Sequence, residues 1–341
     1  MMQKKDLPLL AMVMCVRDEE DFIGTNLAYH HALGVSRAYI FADRCNDATI
    51  EIARYFPWVK VFEINIDTSK DMVTHQNKSA NKALKMARDE GFQWLMHIDA
   101  DEFAFADNLP FGIIGRAFPF MKKMKRMTPV QRGDLIRMLA LASKRTEMIL
   151  MRTWEAVPVL SENEQTFWKL HYFHNKSFED RKVLDPAANK IRPLAWFGHA
   201  RGKTIIRTSA DVQSRSSHLW TRYQGTAEPE KIPLKTEYRG HHFHFLFTNS
   251  REWWNKFRKH SDFPDRWHSK EPVGFPKQSW KEASKKMSEV EAQQYFNEWL
   301  ALPPDELGKR LAEGSIIKDS SVQDILNTAG WNGTDGREEN H

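Results

Sequence analysis

Cysteine is nearly absent: Cys15 and Cys45 are the two thiols in 341 residues. Two cannot build a disulfide framework, so a reducing compartment is the expected setting. Long apolar runs are missing too. The first, Leu7 to Val16, contains Pro8 and stops at Arg17, too short to span a bilayer and without a cleavage-site pattern. Internal repeats are absent, as are C-x-x-C and H-E-x-x-H patterns that would point to zinc. Charge of one sign is also scarce overall, the net value being +5. A cytoplasmic protein is expected. Its 41% hydrophobic and 28% charged residues suit an ordinary globular chain of one large domain with elaborations, or two smaller ones.

The charge is uneven. From Phe111 to Arg137 seven basic residues (Arg116, Lys122, Lys123, Lys125, Arg126, Arg132, Arg137) stand against Asp134 alone. Apolar residues of the same stretch fall near a helical stripe, which suits peripheral contact with an anionic membrane at its inner face; a core-packed helix with a solvated basic face is the plainer alternative. Without a recognised module or interleaved stacking aromatics, nucleic acid is not an expected partner.

Strand and helix patterns alternate through the first hundred residues. Strands are predicted at Leu9–Val16, Arg37–Phe41, Val59–Ile64 and Gln93–Asp99, and helices at Glu20–Leu33, Ala48–Tyr55 and His75–Arg88. Such alternation implies right-handed crossovers and a mainly parallel sheet flanked by helices. Further on, a helix is expected over Asp134–Ser143, a strand over Met148–Trp154, and helices over Arg251–His260 and Lys281–Ala301. The most informative stretch is Met96 to Phe103, MHIDADEF, where an apolar run ends in Asp99, Asp101 and Glu102. Acids released at the C-terminal end of a buried strand lie where open α/β sheets bind ligands, and two aspartates one residue apart can share a hard divalent cation. The loops after the first and second strands hold Arg17-Asp18-Glu19 and Asp43 to Asp47, so three polar clusters gather on one side of the sheet.

The segments CVRDEEDFIGTNLAYHHALGVSRAYIFADRCNDAT and WLMHIDADEFAF resemble family 2-type glycosyltransferases of the GT-A fold, most of all the branch related to family 92. The likeness is good over Leu9–Phe105 and weaker through Gly202–Thr208 with His218, and His241–Phe257. It implies a GT-A (Rossmann-like) domain over 1–250, with a nucleotide-sugar half near 7–110 and an acceptor half at 111–250. A C-terminal helical and aromatic extension would follow over 251–329, then a disordered tail over 330–341. It implies a metal-dependent transfer, inverting by resemblance alone, from a nucleoside-diphosphate sugar, UDP-linked, to a glycan or lipid-linked acceptor in surface polysaccharide synthesis. Mn²⁺ or Mg²⁺ on Asp99 and Asp101 would neutralise the departing diphosphate. Asp43, Arg17 and Glu19 would meet the base and ribose, and Lys78 and Asn81 fall where the family contacts the donor.

Among the clustered histidines, His218 and His244 match the family best; His218 is taken as the metal's imidazole, with packed structural histidines as the alternative. An inverting transferase needs a carboxylate base, for which Glu155, Glu162 and Glu164 follow the Met148–Trp154 strand; Glu155, beside Trp154, is preferred. Lys203 and Arg207 would hold the diphosphate, or merely decorate a strand. Twelve tryptophans leave several free to stack on sugar. Rival readings are an inactive sugar- or membrane-binding module on the same core, and a D-x-D phosphatase, whose motif would end the first strand and not the fourth.

Overall fold

The computed structural model describes residues 7–67, 72–106, 129–160, 166–174, 182–185, 190–193, 202–222, 233–260, 277–331 and 333. Its first part runs β1 (Leu10–Val16), α1 (Glu20–Ala32), β2 (Val35–Asp43), α2 (Thr49–Tyr55), β3 (Val59–Ile64), α3 (Met72–Asp89), β4 (Trp94–His97). These four strands pair in parallel in the order β4-β1-β2-β3. Strand β1 explains why. Leu10, Met12, Met14 and Val16 face one apolar cluster with Ile23 and Leu27 of α1, while Ala11 and Val13 face another with Ala80, Ala83 and Leu84 of α3. A strand apolar on both faces is stable only with helices on both sides. Gly34, at φ +99°, ends α1 in the left-handed conformation that glycine adopts without a Cβ penalty.

The second part is β5 (Glu102–Phe105), α4 (Pro129–Gly133), α5 (Leu135–Ala140), β6 (Met148–Ala156), β7 (Tyr172–His174), β8 (Lys182–Asp185), β9 (Lys190–Pro193), β10 (Lys203–Arg207), β11 (Val212–Ser216), β12 (Leu219–Arg222) and β13 (Thr236–His244). Strand β10 runs antiparallel between β4 and β6, and β13 lies parallel to β6 and antiparallel to β5. The pairs β8–β9 and β11–β12 form separate two-stranded ribbons. The sheet is thus parallel in its first half and mixed beyond, ten strands among the described residues. Of the basic segment 111–137, residues 111–128 lie outside the described residues. In the rest, Leu135 is buried and Ile136 packs on the same core, as the core-packed alternative requires.

The C-terminal part contains α6 (Ser250–His260), α7 (Lys277–Lys286), α8 (Glu289–Trp299), α9 (Pro304–Ala312), β14 (Ile317–Lys318) and α10 (Ser321–Thr328). The single helix predicted over Lys281–Ala301 is two, because Ser288 and Glu291 form a capping box that starts α8. Helices α6 to α9 build a second core around Trp253, Trp280 and Phe296 that also takes Val157 and Val159 from beyond β6. The extension does not stand apart: β14 adds an edge strand beside β7, and α10 packs into the main core through Val322, Ile325 and Leu326. Of the tail expected to be disordered, Trp331 is placed, its Nε1 donating to Thr25 Oγ1 at 3.2 Å and its ring lying over Gly24. No described helix is long and apolar enough to cross a membrane.

Candidate active site

The C-terminal ends of β1, β2 and β4 deliver their polar residues to one edge of the sheet. A cavity of about 580 Å³ opens at the ends of β1 and β2, and Asp99, Asp101 and Glu102 after β4 are not among its lining residues. It is lined by Val16, Arg17, Asp43, Ile66 and Gln76, by Phe22, Thr25, Phe167 and Trp168, and by Arg251, Asn255, Lys256 and Lys259 of α6. The loops after β1 and β2 are clasped together: Asn46 N–H donates to Asp18 Oδ1 (2.7 Å), Glu19 N–H to Thr49 Oγ1 (2.7 Å) and Glu20 N–H to Asp47 Oδ2 (3.1 Å). Asp18 and Arg44, at φ 52° and 44°, hold left-handed conformations beside the cavity, and strain of this kind gathers where the fold over-determines a functional loop.

Asp43 receives both nitrogens of the Arg44 fork at 2.8 Å and the Ile66 N–H at 3.0 Å. Burial alone would raise its pKa, but the Arg44 and Ile66 hydrogen bonds outweigh that and hold it below the usual range. Glu19 behaves oppositely. Burial, reinforced by the Asp101 charge, pushes it up to about 8.

Behind this edge lies a second layer of charge. Lys203 is wholly buried, with Nζ 2.6 Å from Asp99 Oδ2 and 3.1 Å from Glu102 Oε2. Glu102 does not face the cavity: its Oε2 also accepts the Asp99 N–H at 3.0 Å, and its Oε1 lies 3.5 Å from His242 Nε2. Asp101 is paired with Lys256 of α6 and lies 3.5 Å from His244 Nε2, while His244 Nδ1 is 2.9 Å from Glu155 Oε1. Burial would lower the His244 pKa, yet the flanking Glu155 and Asp101 carboxylates lift it to about 10. Asp99 Oδ1 is buried without a hydrogen-bond partner.

Asn26 and His30 of α1 hold this loop, and nothing in the sequence singled them out. Asn26 Nδ2 donates to the carbonyls of Ala100 (2.9 Å) and Glu102 (2.7 Å), and His30 Nδ1 donates to Asn26 Oδ1 (2.7 Å). Polar residues at i and i+4 in an otherwise apolar helix face were the available signal.

Several expected residues sit elsewhere. Arg207 is at the far end of β10, opposite Trp94, with its guanidinium 4.1 Å over that ring and bonded to the Thr146 and Ser143 carbonyls, away from the acidic end of β4. Lys78 is exposed on α3 and absent from the cavity wall, where Gln76 stands instead. Asn81 accepts the Ser214 N–H. His218 Nδ1 is 2.6 Å from Gly202 O, and it does not close to ligand distance with Asp99 and Asp101; His244 is the imidazole beside Asp101. Among the described residues, the one trio of ligand atoms within 4.8 Å is Asp18, Cys45 and Asp47, the loop clasp itself. Glu155 is 3% exposed and off the cavity wall, so the expected acceptor base does not face the cavity; Glu162, Glu164 and His199 lie outside the described residues. Trp154 stacks on His241 at 3.6 Å and Trp253 is core, which leaves Trp168 as the tryptophan on the cavity wall.

No protein-family model and no curated protein matches the sequence. Among solved structures, glucosyl-3-phosphoglycerate synthase from Mycobacterium tuberculosis, in complex with Mn²⁺, UDP and glucosyl-3-phosphoglycerate, is similar at 12% identity over 43% of this chain and 44% of its own, with a TM-score of 0.26. The chain therefore spans less than half the length of that protein. A 4-diphosphocytidyl-2C-methyl-D-erythritol synthase from Anaerococcus prevotii matches at 7% identity over 70% and 90%, TM-score 0.31. HddC from Yersinia pseudotuberculosis matches at 9% over 72% and 97%, TM-score 0.30. Similarity at this level leaves the function to the chemistry of the site.

Proposed function

We propose that this chain is a GT-A-type glycosyltransferase that moves a sugar from a nucleoside diphosphate, UDP by resemblance, to a glycan or lipid-linked acceptor with inversion. One observation carries the reading: carboxylates after β1 and β2 (Asp18, Glu19, Asp43) line one cavity, and beside them at the end of the neighbouring strand β4 the Asp99 oxygen Oδ1 is buried with no hydrogen-bond partner. A buried unpaired carboxylate oxygen is costly unless a cation completes it. Asp99 and Asp101 offer the oxygen donors that a Mn²⁺- or Mg²⁺-type ion takes, but as they stand they and His244 do not bring three ligand atoms within 4.8 Å of one another, Lys203 holding Asp99 and Lys256 holding Asp101. When bound, the ion would supply positive charge for the diphosphate leaving group.

The chain's own groups do the rest. Arg17, Asp43 and Gln76 line the cavity and offer polar partners to a nucleoside. Lys203 holds Asp99 and Glu102 in place, and where burial alone would raise the Glu102 carboxyl it helps keep it well below its usual range. Lys256 and Lys259 add cationic donors from α6, and Glu19 lines the cavity with them.

The test is thermal stability with UDP and Mn²⁺ in wild type and Asp101→Ala. Ligand bound only by the folded state adds about 2.7 kcal/mol at roughly a hundred times its Kd. Stabilisation of the wild type by UDP with Mn²⁺, lost in Asp101→Ala, is the expected outcome. Stabilisation without metal dependence favours the inactive binding module, and no response to any nucleotide removes the transferase reading.

A further inference from the structure

We propose that Trp168 is the surface on which the cavity holds a sugar ring, and that Gly333 sets the indole in place for it. The inference rests on the transferase reading above and names the part of the site that takes the carbohydrate.

A chain of aromatic contacts places the indole. Phe22 of α1 packs on Phe167 with 4.4 Å between ring centroids, and Phe167 meets Trp168 edge to face at 5.0 Å and 88°. All three rings line the cavity, but they differ in what they have left to offer. Phe22 and Phe167 are 9% and 3% exposed and belong to the main core, whereas Trp168 is half-buried and only packs against it. Trp168 is therefore the ring with area to spare for a ligand, and an aromatic face suits the apolar C–H face of a sugar. The hydroxyls around a sugar's edge need polar partners. Asp21 and Thr25, four residues apart on α1 and on the same face as one another, line the cavity, as do Glu252 and Asn255 of α6.

The indole is also braced. Gly333 lies so close that a Cβ there would come within 2.5 Å of Trp168 Cζ2 and 2.8 Å of Cη2. Its φ of +81° is one that glycine adopts without a Cβ penalty. Two residues earlier, Trp331 Nε1 donates to Thr25 Oγ1 at 3.2 Å, so the segment after α10 is tied to the same wall of the cavity. Phe167 and Gly333 together leave the indole little side-chain freedom to lose when a ligand stacks on it, and a ring already held in place binds better than a loose one.

Saturation-transfer NMR on the full chain tests this without turnover. The probes are the methyl glycosides of glucose, galactose, mannose and N-acetylglucosamine, with UDP and Mg²⁺ present. At least one glycoside should receive saturation from the wild type. Trp168→Ala should weaken that glycoside by about tenfold, the size of one lost aromatic stacking contact, with UDP affinity unchanged. Gly333→Val drives a side chain into the indole without removing any group that faces the ligand; it should weaken the glycoside several-fold and again spare UDP. If Trp168→Ala does not fold, Gly333→Val carries the test. Undiminished glycoside binding in either folded variant overturns the inference. So do equal losses of glycoside and UDP, which would mark a merely structural wall, and a wild type that binds UDP but none of the four glycosides. Each of these leaves the transferase reading standing, whereas a wild type that binds neither UDP nor glycoside overturns both.

Discussion

Lys203 is the most deeply buried charged side chain at the site. Its ammonium sits between Asp99 and Glu102 with no exposure, and burial, which alone would lower its pKa, is outweighed by those two carboxylates. Lys203→Met would leave both acids without that cation, and removing one partner of a buried ion pair costs about 3–5 kcal/mol. Urea unfolding should show a loss of that order; a loss under about 1 kcal/mol would mean that Glu102 is neutral and the pair weak. Lys203 and Arg207 also show what one sequence conceals. Both lie on β10, five residues long, and they read alike as diphosphate cations. Because β10 runs antiparallel to β4, its first residue meets the acidic end of β4 and its last meets Trp94 at the opposite end. Strand direction is a tertiary fact, so the spacing could not separate them. Asp99 and Asp101 were legible because a run of buried apolar residues pointed straight at them. That His244 lies beside Asp101 was not, since it depends on the pairing of β13 with β5 and β6 across more than eighty residues of chain.

Helix α1 has a function that its position does not suggest: it holds the acidic loop. His30 is fully buried, donates from Nδ1 to Asn26 and accepts the Ala104 N–H at Nε2 (3.1 Å), so the ring must be neutral. Burial accordingly lowers its pKa to about 3. The folded value lies below the unfolded value near 6.5, so the unfolded chain binds the extra proton between these limits. Stability from this ring is complete above about pH 6.5 and falls as pH drops toward 3, by at most about 1.4 kcal/mol per pH unit. Melting temperature should fall from pH 7 to pH 5, and fall less steeply in His30→Gln. Equal slopes would place the acid sensitivity elsewhere. The helix itself was easy to predict from its apolar spacing and Gly34. Its task was not, because Asn26 and His30 acquire meaning only when β5 passes beneath them. The break between α7 and α8 was legible in principle, since Ser288 and Glu291 already spell a capping box.

At the scale of the molecule, α6 to α9 build a second core while α10 packs into the first. The alternating first half was readable from hydrophobic period alone, because each crossover is local. The return of α10 and Trp331 to α1, about 300 residues earlier, leaves no local trace beyond an amphipathic helix. That return carries weight. Val322, Ile325 and Leu326 are 3% exposed or less within the sheet's own core. Burial of each such side chain contributes about 1.5–3 kcal/mol, so losing three removes an amount comparable to a typical total of about 5–15 kcal/mol. Deleting residues 321–341 should therefore abolish the cooperative melt or yield insoluble protein. Trp331→Ala, which removes one half-buried ring and its bond to Thr25, should only lower the melting temperature by several degrees. If the truncated chain instead melts like the intact one, α10 is dispensable and the sheet's core closes without it. In that case the cavity wall at Trp168, which Gly333 abuts, would also have to form unaided, and nucleotide binding by the truncated chain would reveal whether it does.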